Sequence, residues 1–209
     1  MNKVTNFTKR QKDIIDVSIK IIAKKGIQHL TIKNISKSLG ISEPAIYRHF
    51  ESKLDILLAI LLNFKIKMQN SIDHIQALGK SPVEQIEVMF FSHFKEFVNN
   101  PALAAVIFSE EIFQNDKRLA REVKSIMKLS HDFITSLIQE GQQSHMIRND
   151  IPQEQLSLII LGALRLIVTR WQLSNTAFDL EKEGRKPRGQ FGRAEGEEKI
   201  VLCPGHLVT

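Results

Sequence analysis

Residues 31–57, TIKNISKSLGISEPAIYRHFESKLDIL, leave little freedom of local structure. Thr31 and Ser42 each precede a short run with apolar residues three or four apart, the pattern of a capped amphipathic helix. Ile32, Ile35 and Leu39 fall at i, i+3 and i+7 and share one face. Gly40 ends that helix. Pro44 sits in the first turn of the next, where its missing N–H is not needed. Ile41 and Ile46 flank Ser42 as a hydrophobic staple. That helix closes near residues 49–50, and Ser52 caps another, with Asp55 in a capping-box position. Two short helices joined by such a turn make a helix-turn-helix, whose second helix enters the major groove of DNA.

The rest of the chain reads as helices and breaks. Thr8 and Gln11 form a capping box for a helix reaching Lys25, with Ile14, Val17 and Ile21 on its inner face beside Ile15 and Ile22, and Gly26 as a left-handed stop. A long fourth helix runs over 53–78, with Leu54, Leu58, Leu61, Lys65, Met68, Ile72 and Ile75 as a stripe carrying one charged interruption. Ser81, Pro82 and Glu84 start a fifth helix that ends before Pro101, and a sixth spans 102–113. Asp116 caps a seventh, and the eighth covers 152–173. Residues 178–186 open a ninth helix that is then abandoned. No alternating strand pattern occurs, so the expected class is all-α: a three-helix DNA-reading head over 1–52 and a helical-bundle ligand and dimerisation domain over 53–183. Residues 184–209 hold five of the ten glycines and two of the six prolines, and read as a disordered or non-native tail.

Charge supports a split of roles. The net charge is +6, and residues 1–60 alone carry 11 Lys/Arg against 5 Asp/Glu. A polyanion such as double-stranded DNA fits that quarter, as an acidic membrane surface also would. The longest apolar runs, 56–62 and 158–164, fall far short of the ~20 residues a membrane span needs. With a lone Cys203 and no apolar stretch following the basic N-terminus, a cytoplasmic protein with no membrane partner is expected.

The third helix offers Glu43, Ala45, Tyr47 and Arg48 on its outer side, and Ser42 at its start is also expected to face DNA. Arg48 can pair with guanine or phosphate, and Tyr47 and His49 can donate to phosphates. The first turns after Thr31 and Ser52, beside Lys33 and Lys53, present free N–H groups to anions. As ordinary surface residues these would mean little. The run IYRHFESKLDILL, with Gly26, Thr31, Ile35 and LGIS before it, closely resembles the N-terminal domain of the TetR (tetracycline-repressor-like) family of bacterial transcriptional regulators over about residues 8–62. The resemblance implies a two-domain homodimer on a palindromic operator. It puts Lys33, Glu43, Ala45 and Tyr47 toward the bases, and Thr31, Tyr47, His49 and Lys53 on phosphate. Two positions depart from the pattern: Ser36 stands where the family has alanine, and Glu43 is acidic at a groove-facing site.

The body carries seven of the twelve phenylalanines between residues 90 and 133. Phe90, Phe94, Phe97, Phe108 and Phe133 can be core, or they can line a cavity for a small apolar or amphipathic ligand, with His93, His131, Trp171, Arg165 and Gln172 as polar contacts. The eighth helix is apolar on more than one side, beyond what one subunit's core requires. Ile159, Ile160, Gly162, Ala163, Ile167 and Arg170 are its expected partner-facing residues. No Glu-x-x-His pair, His-Glu-x-x-His, Gly-x-Ser-x-Gly or phosphate-cradling glycine loop is present. No enzyme, metal or cofactor is expected. A ligand-responsive repressor is the leading reading, and a DNA-binding structural or partner-recruiting protein without an inducer is the alternative.

Overall fold

The computed structural model describes residues 7–108 and 116–184, and the expected tail lies outside them apart from its first residue, Gly184. Among the described residues there are nine α-helices and no strand: α1 (Lys9–Lys25), α2 (Ile32–Leu39), α3 (Glu43–Tyr47), α4 (Lys53–Ala77), α5 (Pro82–Asn99), α6 (Pro101–Ile107), α7 (Lys117–Gln143), α8 (Gln153–Leu173) and α9 (Leu180–Gly184). The chain is thus all-α, as its periodicity predicts. Residues 109–113 of the expected sixth helix are outside the described residues.

Packing divides the chain into two compact units, one of residues 1–68 with 100–126, the other of residues 69–99 with 127–209. A linear boundary at residue 52 therefore does not describe the packing. The reason is that the first part of α4, α6 and the start of α7 pack with the head.

In the first unit, Thr8 caps α1 in a complete capping box with Gln11. Ile14, Ile15, Ile21 and Ile22 are buried, and Ser18 takes the place on that face expected for Val17. A buried serine is tolerated there because its Oγ donates to the Ile14 carbonyl at 2.7 Å. Gly26 has φ 83° and ψ 165°, a glycine conformation but not the left-handed helical stop expected. Gly40, at φ 65° and ψ 32°, is that stop for α2. Ile35, Ile46 and Ile56 are wholly buried, as are Leu30 and Leu61, and Leu57 is nearly so. The buried stripe of α4 runs through Leu57, Leu61, Phe64, Met68, Ile72 and Ile75. Leu54 and Leu58 are only half-buried. Lys65 is off the stripe, with its ammonium 2.9 Å from Glu122 in α7. The charged interruption disappears once the stripe is phased on Phe64.

In the second unit, α5 packs with α8 and α9. Ser81 and Glu84 close the expected capping box: the Ser81 N–H donates to Glu84 at 3.0 Å and the Glu84 N–H to Ser81 Oγ at 3.4 Å. Phe94 is wholly buried and meets Phe90 edge to face, with ring centres 6.0 Å apart. α8 has the length and mean hydropathy (1.5 over 18 residues) of a membrane span, unlike the short unbroken runs that the sequence offers. Its Leu156, Ile160, Leu164, Val168 and Trp171 are instead buried in the protein.

α7 ends in a Schellman motif: Met146 N–H donates to Gly141 O at 2.8 Å and His145 N–H to Gln142 O at 3.2 Å. His145 is held there at φ 56°. A left-handed residue other than glycine is strained by roughly 1–2 kcal/mol, of which glycine gives back roughly 0.4–1 through a freer unfolded chain. His145→Gly is expected to raise stability by about 0.5–1 kcal/mol in a urea melt.

Candidate nucleic-acid interface and regulatory body

The head is assembled by local bonds. Thr31 Oγ1 accepts the Asn34 N–H at 3.1 Å, and Asn34 Nδ2 donates to the His29 carbonyl at 2.8 Å, which ties the start of α2 to the preceding turn. Gly40 then lets the chain reverse into α3. Ser42 is the N-cap of α3 by position, but its side chain makes no cap hydrogen bond, contrary to expectation. Pro44 explains this. It removes one of the two amides a cap can receive, and the other, that of Ala45, donates to the Ser42 carbonyl at 3.0 Å. The hydroxyl stays exposed and uncommitted to the cap.

Within α3 the division of labour is sharp. Ile46 is wholly buried, while the next residue, Tyr47, is 51% exposed. Ser42, Glu43 and Arg48 are exposed beside it, and Ala45 and His49 are half-buried at its edge. Thr31, Lys33 and Lys53, at the starts of α2 and α4, are also exposed. Ser52 Oγ accepts the Asp55 N–H at 3.3 Å and donates to the Asp55 carboxylate at 2.7 Å, so Asp55 fills its expected position with a hydroxyl contact of its own. The nine residues expected to face DNA thus belong to one unit, and none is fully buried.

The expected ligand residues are not gathered as a set. Phe90, Phe94, Phe97, Phe133, His93, His131 and Trp171 belong to the second unit, but Phe108 belongs to the first. Sequence spacing cannot detect this, since residues 100–126 return to the head's unit. Phe90, Phe94, Phe97, Phe133 and Trp171 are buried. His93 is half-buried, with Nδ1 2.8 Å from the Met89 carbonyl, so Nδ1 carries the proton and donates. It serves the helix one turn back, the structural role common for a lone histidine.

Burial pushes the His93 imidazole below its ordinary value of 6.5, against the smaller opposing pull of Met89 and Glu96. The unfolded chain therefore takes up this proton first, so His93 lowers stability as pH falls below about 6.5. Thermal melts at pH 7.5 and pH 5 are expected to show a smaller acid loss in His93→Gln than in the parent.

On α8, Leu158, Ile159, Leu166 and Leu173 are 61%, 41%, 56% and 80% exposed. Gly162 lies among them, with open space where a Cβ would stand. Arg170 is exposed, and Ala163 and Ile167 are half-buried. Ile160, expected to face a partner, is instead wholly buried in its own chain. It sits four residues before Leu164 and eight before Val168, on the inward face. Leu158, Leu166 and Leu173 extend the outward face in its place.

Among the described residues no cluster of His, Cys, Asp or Glu is placed to hold a metal. A helix-turn-helix with an exposed α3, joined to an all-helical body, defines a DNA-binding transcriptional regulator. Residues 14–60 match the sequence model of bacterial regulatory proteins of the tetR family, and residues 64–187, more than half the chain, that of the YsiA-like protein C-terminal region. The chain belongs to the tetR family of bacterial regulatory proteins. It is 27% identical to the fatty acid metabolism regulator protein of Bacillus subtilis (strain 168) over 170 residues, 80% of this chain and 86% of that one. Its fold is similar to the fatty acid degradation regulator FadR from Bacillus halodurans, with a TM-score of 0.72 and 22% identity over 85% of this chain and 92% of that one. It is also similar to FadR from Bacillus subtilis in complex with stearoyl-CoA, with a TM-score of 0.68 and 23% identity over 82% and 91% of the two chains.

Proposed function

We propose that this regulator is a cytoplasmic repressor that binds a palindromic operator as a homodimer and releases it when a long-chain acyl thioester enters the body. The observation that carries the DNA half is the contrast within α3, where Ile46 anchors the helix and Tyr47 and Arg48 are left outside. Arg48 reads guanine or holds phosphate, Tyr47 and His49 donate to phosphate, and Lys33 and Lys53 supply charge at two helix starts. Glu43 accepts from cytosine and disfavours close phosphate. Pairing through the exposed face of α8 sets two heads against successive major grooves ~34 Å apart.

The ligand half is supported by the phenylalanine-rich second unit and by the stearoyl-CoA bound to the Bacillus subtilis relative. α4 is one unbroken helix from Lys53 to Ala77, which gives a ligand in the body a lever on the head. The full burial of Phe94 favours a second reading, a filled core and no inducer. Operators selected from random duplexes, followed by anisotropy titration with stearoyl-CoA, stearate or free coenzyme A, separate the two. Release by stearoyl-CoA alone is the expected result. An unmoved operator affinity with all three supports the inducer-free reading, and a chain that selects no duplex sequence ends both.

A further inference from the structure

The start of α4, separated from α3 by five residues, is held by a network that no local motif explains. Arg118, in the first turn of α7, donates from its guanidinium to Asp55 Oδ1 at 2.8 Å, across 63 residues of sequence. The same guanidinium is clamped by Asp116, with Nη2 2.9 Å from Oδ2 and Nε 3.3 and 3.2 Å from Oδ1 and Oδ2. Asp116 also accepts the Arg118 N–H at 2.7 Å as the cap of α7. The fork is therefore already fixed when it meets Asp55, which lowers the entropy lost in forming that bond. The second Asp55 oxygen accepts from Ser52. A single chain of bonds runs Ser52, Asp55, Arg118, Asp116, and ties the first turn of α4 to the first turn of α7. Further along the same helices, Lys65 lies within ion-pair reach of the mostly buried Glu122, off the hydrogen-bond direction. All six residues are in the first unit.

We propose that Arg118 is a positioning residue of the DNA interface: through Asp55 it fixes the first turn of α4, and with it the placement of α3 and Lys53 against the operator. Arg118 is not a DNA contact in this account, and its loss acts on the head only by way of Asp55. The proposal rests on the DNA-binding reading and adds a residue far from the helix-turn-helix in sequence.

The test uses the full chain, with Arg118→Gln, Asp55→Asn and the double variant, each confirmed folded by circular dichroism. Two readouts are needed. Hydrogen exchange of the amides of residues 52–57, without DNA, is expected to quicken in Arg118→Gln. Operator affinity is expected to fall about tenfold in each single variant and no further in the double, with a smaller loss on a non-specific duplex, where only the Lys53 phosphate contact is at stake. Additive losses, or an equal loss on non-specific DNA, would make Arg118 a contact in its own right and overturn the proposal. So would parental exchange rates together with parental affinity. Should Arg118→Gln fail to fold, Arg118→Lys keeps the charge without the fork and is held to the same two readouts. A parent chain that selects no operator fails the DNA-binding reading itself, while quickened exchange in the variant still reports the clasp.

Discussion

Leu166→Glu is expected to yield a folded chain that sediments as a monomer and binds its operator at least about 100-fold more weakly than the parent. Leu166 is 56% exposed, so a carboxylate there meets water in the isolated chain and costs the fold little. In a pairing face made with Leu158, Ile159 and Leu173, the same carboxylate is buried without a partner. Losing the twin then removes the gain of holding two heads on one duplex, which for linked sites runs to about 10²–10⁴-fold. Analytical ultracentrifugation and anisotropy on one sample check both parts. A variant that stays dimeric would take α8 out of the proposed interface.

The second large effect lies in the body. Phe94→Ala is expected to destabilise the chain by about 3–5 kcal/mol in a urea melt, because a fully buried ring leaves both its transfer energy and a cavity behind. The edge contact with Phe90 is lost as well. The size of the effect also reports whether this one ring is core or lines a space. A ring packed on all sides gives the full loss. A ring that lines a ligand space gives a smaller loss, since part of its surface already faces a void.

Most caps and stops were legible in the sequence because each rests on one residue's chemistry, though Gly26 took an extended ψ rather than the left-handed stop expected. Thr8, Thr31, Ser81 and Gly40 do what their side chains, or the lack of one, dictate. Phase was less legible. A 4-3 pattern on α4 can be started at Leu54 or at Leu57, and only neighbours decide that Phe64 goes in and Lys65 goes out. Ile160 shows the same weakness, since α8 is apolar on more than one side and periodicity cannot say which side is covered. Ser42 failed as a side-chain cap for a different reason. The preference for serine at that place presumes an amide that Pro44 does not have. The outer residues of α3 could be named because the helix-turn-helix pattern is local. The Asp55–Arg118 bond could not, because nothing in a linear string announces which turn of α7 comes back to which turn of α4.

The brevity of α3 has an evolutionary consequence. Five residues make barely more than one turn, too few to hold a helix by themselves. The element stands because one side chain, Ile46, is driven into the core while its neighbours face out. Structure and vocabulary are thereby carried by different positions. Glu43, Tyr47 and Arg48 are exposed and can be exchanged without disturbing the scaffold; under the proposed DNA-binding reading, a lineage changes the DNA word by a few surface substitutions while Ile46 stays in place.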